Sequence, residues 1–148
     1  MMFMHGDGIE HKWLSGAEEA FDRCVRADLP GNSNFADRER YALQLANELV
    51  RRHLESTMQA VADAQTREIR VDGVLHRQHQ MGAVKYHSLC GSLEVRRFSY
   101  RPVGVRNGRT CVPLDLQLGI VERVTPRLAY CIAQGYAKGP MRCRVIRE

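Results

Sequence analysis

The residues best suited to chemistry in this chain are arginines. Arg96, Arg97, Arg101, Arg106 and Arg109 fall within one short stretch, with Phe98 and Tyr100 interleaved and Lys85 just before them. Guanidinium groups neutralise phosphates, and exposed aromatic rings stack on bases or sugars. A row of cations on a strand can track a nucleic-acid backbone, with an affinity that falls as salt rises because counterions are released. This reading assigns Lys85, Arg96, Arg97, Tyr100, Arg101, Arg106 and Arg109 to DNA contact. The competing reading is a solvated β surface whose charges only prevent edge-to-edge association. A basic patch by itself carries no sequence code.

Other constellations are weaker. His76-x-x-His79 and His87-x-x-Cys90 supply four side chains that zinc accepts. Zinc needs such ligands to converge tetrahedrally. On strands, positions three apart point to opposite faces, so these pairs should diverge and serve as surface histidines. Asp115 and Glu122 are the only internal acids after Glu94. Two carboxylates without a third make a poor magnesium site for phosphoryl transfer, so caps or ion-pair partners are expected, with Asp115 holding a turn. No GxSxG, P-loop, GxGxxG or HExxH motif is present. No active site is visible, and no cofactor is expected.

Charge is unevenly distributed. Residues 1–74 carry a net charge of −4 and residues 75–148 a net of +9, and Arg outnumbers Lys nineteen to three. Such a split suggests a polyanion-facing half on an acidic scaffold, although a GC-rich genome also favours arginine codons. The 148 residues, 44% hydrophobic and 26% charged, have the composition of a soluble globular domain. No run approaches a membrane span, and Gly6, Asp7 and Gly8 interrupt any leader, so a cytoplasmic, nucleoid-associated protein with no membrane partner is expected. Five scattered cysteines without CxxC pairs should remain reduced.

These side chains need elements to position them, and the periodicity supplies an α+β order. A first helix is expected over 15–28, with Ser15 as N-cap and Glu18 completing a capping box. A long amphipathic helix follows over about 35–65, capped by Asn34 or Asp37, its stripe running from Tyr41 and Leu45 through Leu49, Val50, Leu54 and Met58 to Val61 and Ala62. At 1.5 Å per residue it would span roughly 45 Å, longer than a small domain needs, so packing on a partner or fraying near one end is expected. Asp72-Gly73 marks a hairpin, Gly91 a second, and Asn107-Gly108 a further turn. On the second hairpin Leu93 and Val95 should face one way, and Glu94, Arg96, Phe98 and Tyr100 the other. Thr125-Pro126 opens a closing helix. The segments are thus 1–66 helical, 67–124 basic antiparallel β, and 125–148 closing helix and tail.

The run from Tyr86 to Arg101, then Val112 to Ile120, then Val124 to Ala129, resembles the region before the catalytic core of ISKra-type insertion-sequence transposases. The slots are filled by Gly91, Val95, Tyr100, Pro113, Asp115, Leu118, Gly119, Thr125, Pro126 and Leu128, and the likeness covers about residues 67–142. It implies DNA transposition by a downstream RNase-H-like domain with a carboxylate triad and two magnesium ions. The chain would then be the N-terminal, end-recognising part, binding double-stranded transposon ends and catalysing nothing alone, with magnesium needed only by the full-length enzyme. Some relatives carry a CxxC zinc element where this chain has Arg101 to Arg109, a departure that argues against zinc there.

The alternative reading is an interaction or oligomerisation module built on the 35–65 helix, or a gene remnant. If copies associate along that helix, Leu49→Asp should convert a dimer to a monomer in size-exclusion chromatography with light scattering.

Overall fold

A computed structural model describes residues 12–137 and divides the chain into two compact units, Met1–Ala46 and Asn47–Glu148. The first unit contains α1 (Lys12–Asp28) and the opening turns of α2 (Phe35–Asp63). Because α1 already includes Lys12, Ser15 lies inside the helix and is not its N-cap. No Gly or Pro stands between Gly8 and Ser15 to stop the helix from extending backwards. Between the helices Ser33 Oγ donates to the Pro30 carbonyl, and the Arg38 guanidinium reaches the carbonyls of Gly31 and Ser33. Asn34 is the N-cap of α2, its Oδ1 accepting the Asp37 amide at 2.8 Å. The Tyr41 hydroxyl donates to the Asp28 carboxylate, and this bond raises the phenol's pKa.

The second unit is built on an antiparallel sheet of β1 (Glu68–Val71), β2 (Val74–Ser88) and β3 (Gly91–Pro102), in that spatial order. With its helices the fold is α+β, as the periodicity implies. The β1–β2 turn has φ of 50° at Asp72 and 79° at Gly73. Two left-handed residues in succession match the twist of the flanking strands. The two expected hairpins share one strand, because β2 continues through Gln78–Gly82 where the alternation is hardest to read. A register shift between Gln78 and Gln80 leaves His79 as the extra residue.

The core forms where the second half of α2 meets the sheet. Met58 and Ala62 pack with Tyr86, Leu93, Val95, Leu114 and Ile120. Removing a methylene-rich side chain such as Leu93 from this cluster should cost about 2–5 kcal/mol. The amphipathic stripe is buried only at this end, since Leu49 and Val50 remain 54% and 46% exposed.

One stripe of α2 also seals the outer edge of β3. Arg51 Nη1 donates to the Ser92 carbonyl, Glu55 Oε2 accepts the Glu94 amide, and Gln59 both accepts from the Arg96 amide and donates to its carbonyl. Helix positions four apart rise about 6.0 Å, and strand positions two apart about 6.6 Å. The two spacings nearly match, so three long polar side chains hold three successive rungs of the edge. The next residue of the stripe, Asp63, instead accepts from Gln59 Nε2 where the helix ends. An edge strand that would otherwise offer bare amides and carbonyls is thereby occupied.

Two short helices close the unit. In α3 (Pro113–Leu118), Pro113 begins the helix and Gly119, at φ 65°, caps it in the left-handed conformation. The helix α4 (Pro126–Ala137) starts where Thr125-Pro126 predicts, and the Thr125 carbonyl accepts the Ala129 amide. The expected stop at Gly139-Pro140 lies outside the described residues.

The edge contacts make stability depend on acid. Hydrogen bonds from Arg51 and Arg52 hold Glu48 down to about 2, and the Glu94 amide, aided by Arg51, lowers Glu55. Depressed carboxyls stabilise the fold above their ordinary pKa and lose that contribution as pH falls through the depressed values. The urea midpoint should therefore drop as pH is lowered from about 4.5 towards 2. Glu55→Gln, which keeps an acceptor for Glu94, should flatten the upper part of that acid limb.

Candidate nucleic-acid interface

Strand alternation separates the arginines that the sequence places side by side. The register pairs Lys85 with Glu94, Ala83 with Arg96 and Met81 with Phe98, so these side chains share one face. Arg97 pairs with Gly82 and falls on the other face, the one carrying Leu93, Val95 and Tyr86. Its Nε donates to the Tyr86 hydroxyl at 2.6 Å, and that hydroxyl donates to Asp115 Oδ1 at 2.8 Å. Arg97 is thus half-buried and engaged. Asp115 does hold its turn, as expected, through its carbonyl to the Ile120 amide and its carboxylate to Tyr86.

Tyr86 is fully buried, and its phenol is pushed up to about 12, first by burial and then by Asp115, with Arg97 pulling the other way. With no exposed surface, the phenol acts as a tie between sheet and α3 and not as an acid or base for a substrate.

Tyr100 does not point outwards to stack on a base. It is 0% exposed, its hydroxyl donates to the Thr66 carbonyl, and its backbone pairs with Cys111. Burial along β3 runs through Leu93 and Val95 and then resumes at Tyr100, which breaks the period of two. Two features account for this: the chain after β3 returns to pair with it, and β2 is shifted in register opposite Ser99 and Tyr100. Neither the return nor the shift leaves a mark in the sequence of β3 itself.

The remaining cations stay exposed and fall into two groups. Lys85 and Arg96 occupy the face described above, with Arg96 Nη2 against Met81 Sδ. Arg101, next to last in β3, lies opposite Arg77, which in turn lies opposite Glu68 and is bridged to it at 2.6 Å. Like charges directly opposed across strands repel, and Glu68 offsets this for Arg77 only. Arg106 and Arg109 lie exposed on the loop that leaves β3 after Pro102 and returns to place Cys111 beside Tyr100. Asn107 in this loop has φ 60°, as its Asn-Gly pair predicts.

Ion pairs concentrate before Lys85, although Arg23, Arg38, Arg67 and Arg70 form none among the described residues. Arg26, Arg40, Arg51, Arg52 and Arg77 each pair with a carboxylate. Among the described residues, no Lys or Arg after Arg77 does so.

Comparison of the chain with protein-family models, curated proteins and solved structures finds no match.

The histidines do not assemble. His76 is not the surface residue expected but is buried, with Nδ1 2.9 Å from the Val74 carbonyl, while His79 sits exposed at the bulge and His87 is exposed. Among the described residues, no group of three or more His, Cys, Asp or Glu side chains is placed to hold a metal ion. Sequence reading also missed the turn at Glu122 and Arg123. Both are left-handed, with φ of 50° and 65°, between the bridged Val121 and Val124. Neither is a Gly or Asn, so nothing announces the turn. It aims the Arg123 carbonyl at the His87 amide, 2.7 Å away.

Tyr86→Phe would leave Arg97 and Asp115 without their shared hydroxyl. It should destabilise the fold by about 1–3 kcal/mol in urea denaturation. In alkaline titration by tyrosinate absorbance, the phenol that ionises near 12 in the parent should be missing from the variant.

Proposed function

We propose that the chain is a non-catalytic DNA-binding module that grips the phosphate backbone through the exposed end of its sheet. The observation that carries this reading is the set of cations after Arg77 that have no carboxylate partner among the described residues. A side chain already paired must lose its partner before meeting a phosphate, whereas an unpaired guanidinium exchanges only water and counterions. Arg101, Arg106 and Arg109 form the centre of the contact, and Lys85 and Arg96 form a second patch. Arg97 contributes less, because its fork is committed to Tyr86, and Tyr100 contributes nothing direct. Without an exposed aromatic ring in the first group, the contact is to backbone and not to stacked bases.

The likeness of residues 67–142 to the region before the core of ISKra-type transposases suggests the setting for this grip. In that setting the chain recognises transposon ends, and a separate catalytic domain performs the strand chemistry. Among the described residues no helix is long and apolar enough to cross a membrane.

Binding to a labelled duplex should weaken steeply as salt rises, with log affinity linear in log salt. Replacing Arg101, Arg106 and Arg109 together by Glu should abolish binding across unrelated sequences and flatten the salt slope. Arg97→Glu alone should act mainly on stability. A salt-independent affinity in fluorescence anisotropy, or a triple variant that binds like the parent, would overturn the proposal.

A further inference from the structure

The first unit carries a feature that the nucleic-acid reading does not use. Between α1 and the opening turns of α2 lies an open groove of about 790 Å³. Its floor is apolar, made by Phe21 and Val25 of α1 and by Ala42, Leu43 and Ala46 of α2, with Phe35 at one end. Phe35 and Leu43 are 80% and 60% exposed, well beyond what a finished core leaves to water. The rim is acidic: Glu18, Glu19 and Asp22 line it from α1, and Glu39 from α2. Its one cation, Arg38, is turned to the carbonyls of Gly31 and Ser33 in the interhelical loop. Among the described residues, Glu18, Glu19 and Glu39 have no cation partner, and Asp22 pairs only with Arg26 on its own helix.

We propose that this groove docks an amphipathic helix of another protein, with apolar residues at helical spacing and Lys or Arg along its flanks. Both walls are helices whose backbone groups are already paired along their length, so an added strand would find no ladder to join, whereas a helix needs only side-chain contact. Charge complementarity selects the occupant: an apolar face fills the floor while flanking cations meet the carboxylates of both walls. A second copy of this chain would bring the same acids against themselves across a two-fold axis. The walls are held ready before binding by the Tyr41–Asp28 bond, the Asn34 cap and the Arg38 contacts to the loop, so little ordering cost falls on this side.

The test uses the full chain and a designed fluorescent helical peptide with Leu at positions one, four, five and eight of its repeat and Lys on the flanks. A second peptide carries Glu in place of every Lys. The Lys peptide should bind with a dissociation constant in the range of about 1–100 µM, and the Glu peptide at least tenfold more weakly. Leu43→Asp is the decisive variant, because it adds negative charge while removing floor. Docking requires a loss of about tenfold or more, whereas diffuse attraction to an acidic surface requires tighter binding. Glu18→Lys combined with Glu39→Lys should also lose the peptide, and circular dichroism of each variant checks that the helices persist. Equal binding of the two peptides, or unchanged binding by Leu43→Asp, would overturn the proposal. So would a parent dimer in sedimentation that Leu43→Asp converts to monomer, since a second copy would then be the occupant. The duplex-binding variant lacking Arg101, Arg106 and Arg109 should retain the peptide, so failure of either reading is visible separately.

Discussion

The second unit depends on one constraint: a three-stranded sheet has two edges, and the outer edge of β3 is held by side chains of a helix instead of by another strand. Arg51, Glu55 and Gln59 bond to Ser92, Glu94 and Arg96 in step. The same turns of α2 carry Met58 and Ala62 into the core, so one helix covers the apolar face and the polar edge together. A small sheet of this kind is marginal without such cover. The arrangement also explains why a helix in the chain's acidic half is needed to complete its basic half. The long polar side chains of the stripe read as a solvated face in the sequence, but here they complete backbone hydrogen bonds.

That use of α2 bears on the charge distribution. Glu48 and Glu55 are consumed by Arg51, Arg52 and the β3 backbone, and Asp37 by Arg40. The strands and loops beyond Arg77 contain few acids of their own. Of these, Asp115 is engaged by Tyr86, while Glu94 and Glu122 form no ion pair with another described residue. The exposed guanidinium groups of the sheet end therefore have nothing within the described fold to neutralise them. Net charge alone would not show this, because an even spread of pairs is compatible with the same total. The acids in the first unit are spent differently, with three of the four at the α1–α2 groove left open.

Much of the fold was legible in the residues, for local reasons. Asn34 before an apolar periodic run, Asp72-Gly73 between alternating strands and Pro126 after Thr125 are short-range signals, and each leads to the expected element. Ser15 misled because a capping residue is also tolerated inside a helix when nothing stops the helix upstream. The candidate interface was less legible. The faces that the arginines occupy depended on register, and Arg96 and Arg97 diverge because successive residues on a strand must. Tyr100 was read as exposed because its burial comes from Cys111, Thr66 and Gln78, which are remote in sequence. The turn at Glu122 and Arg123 is invisible to residue preference, since the backbone there is fixed by its bridge and by His87.

The burial of aromatic residues gives the sheet an optical signature of its own. Tyr86 and Tyr100 are sealed inside the second unit. The near-ultraviolet dichroism of these rigid phenols therefore reports chiefly on the sheet, and far-ultraviolet dichroism on the helices of both units. Melting curves followed at the two wavelengths would coincide if the units cooperate and separate if they do not.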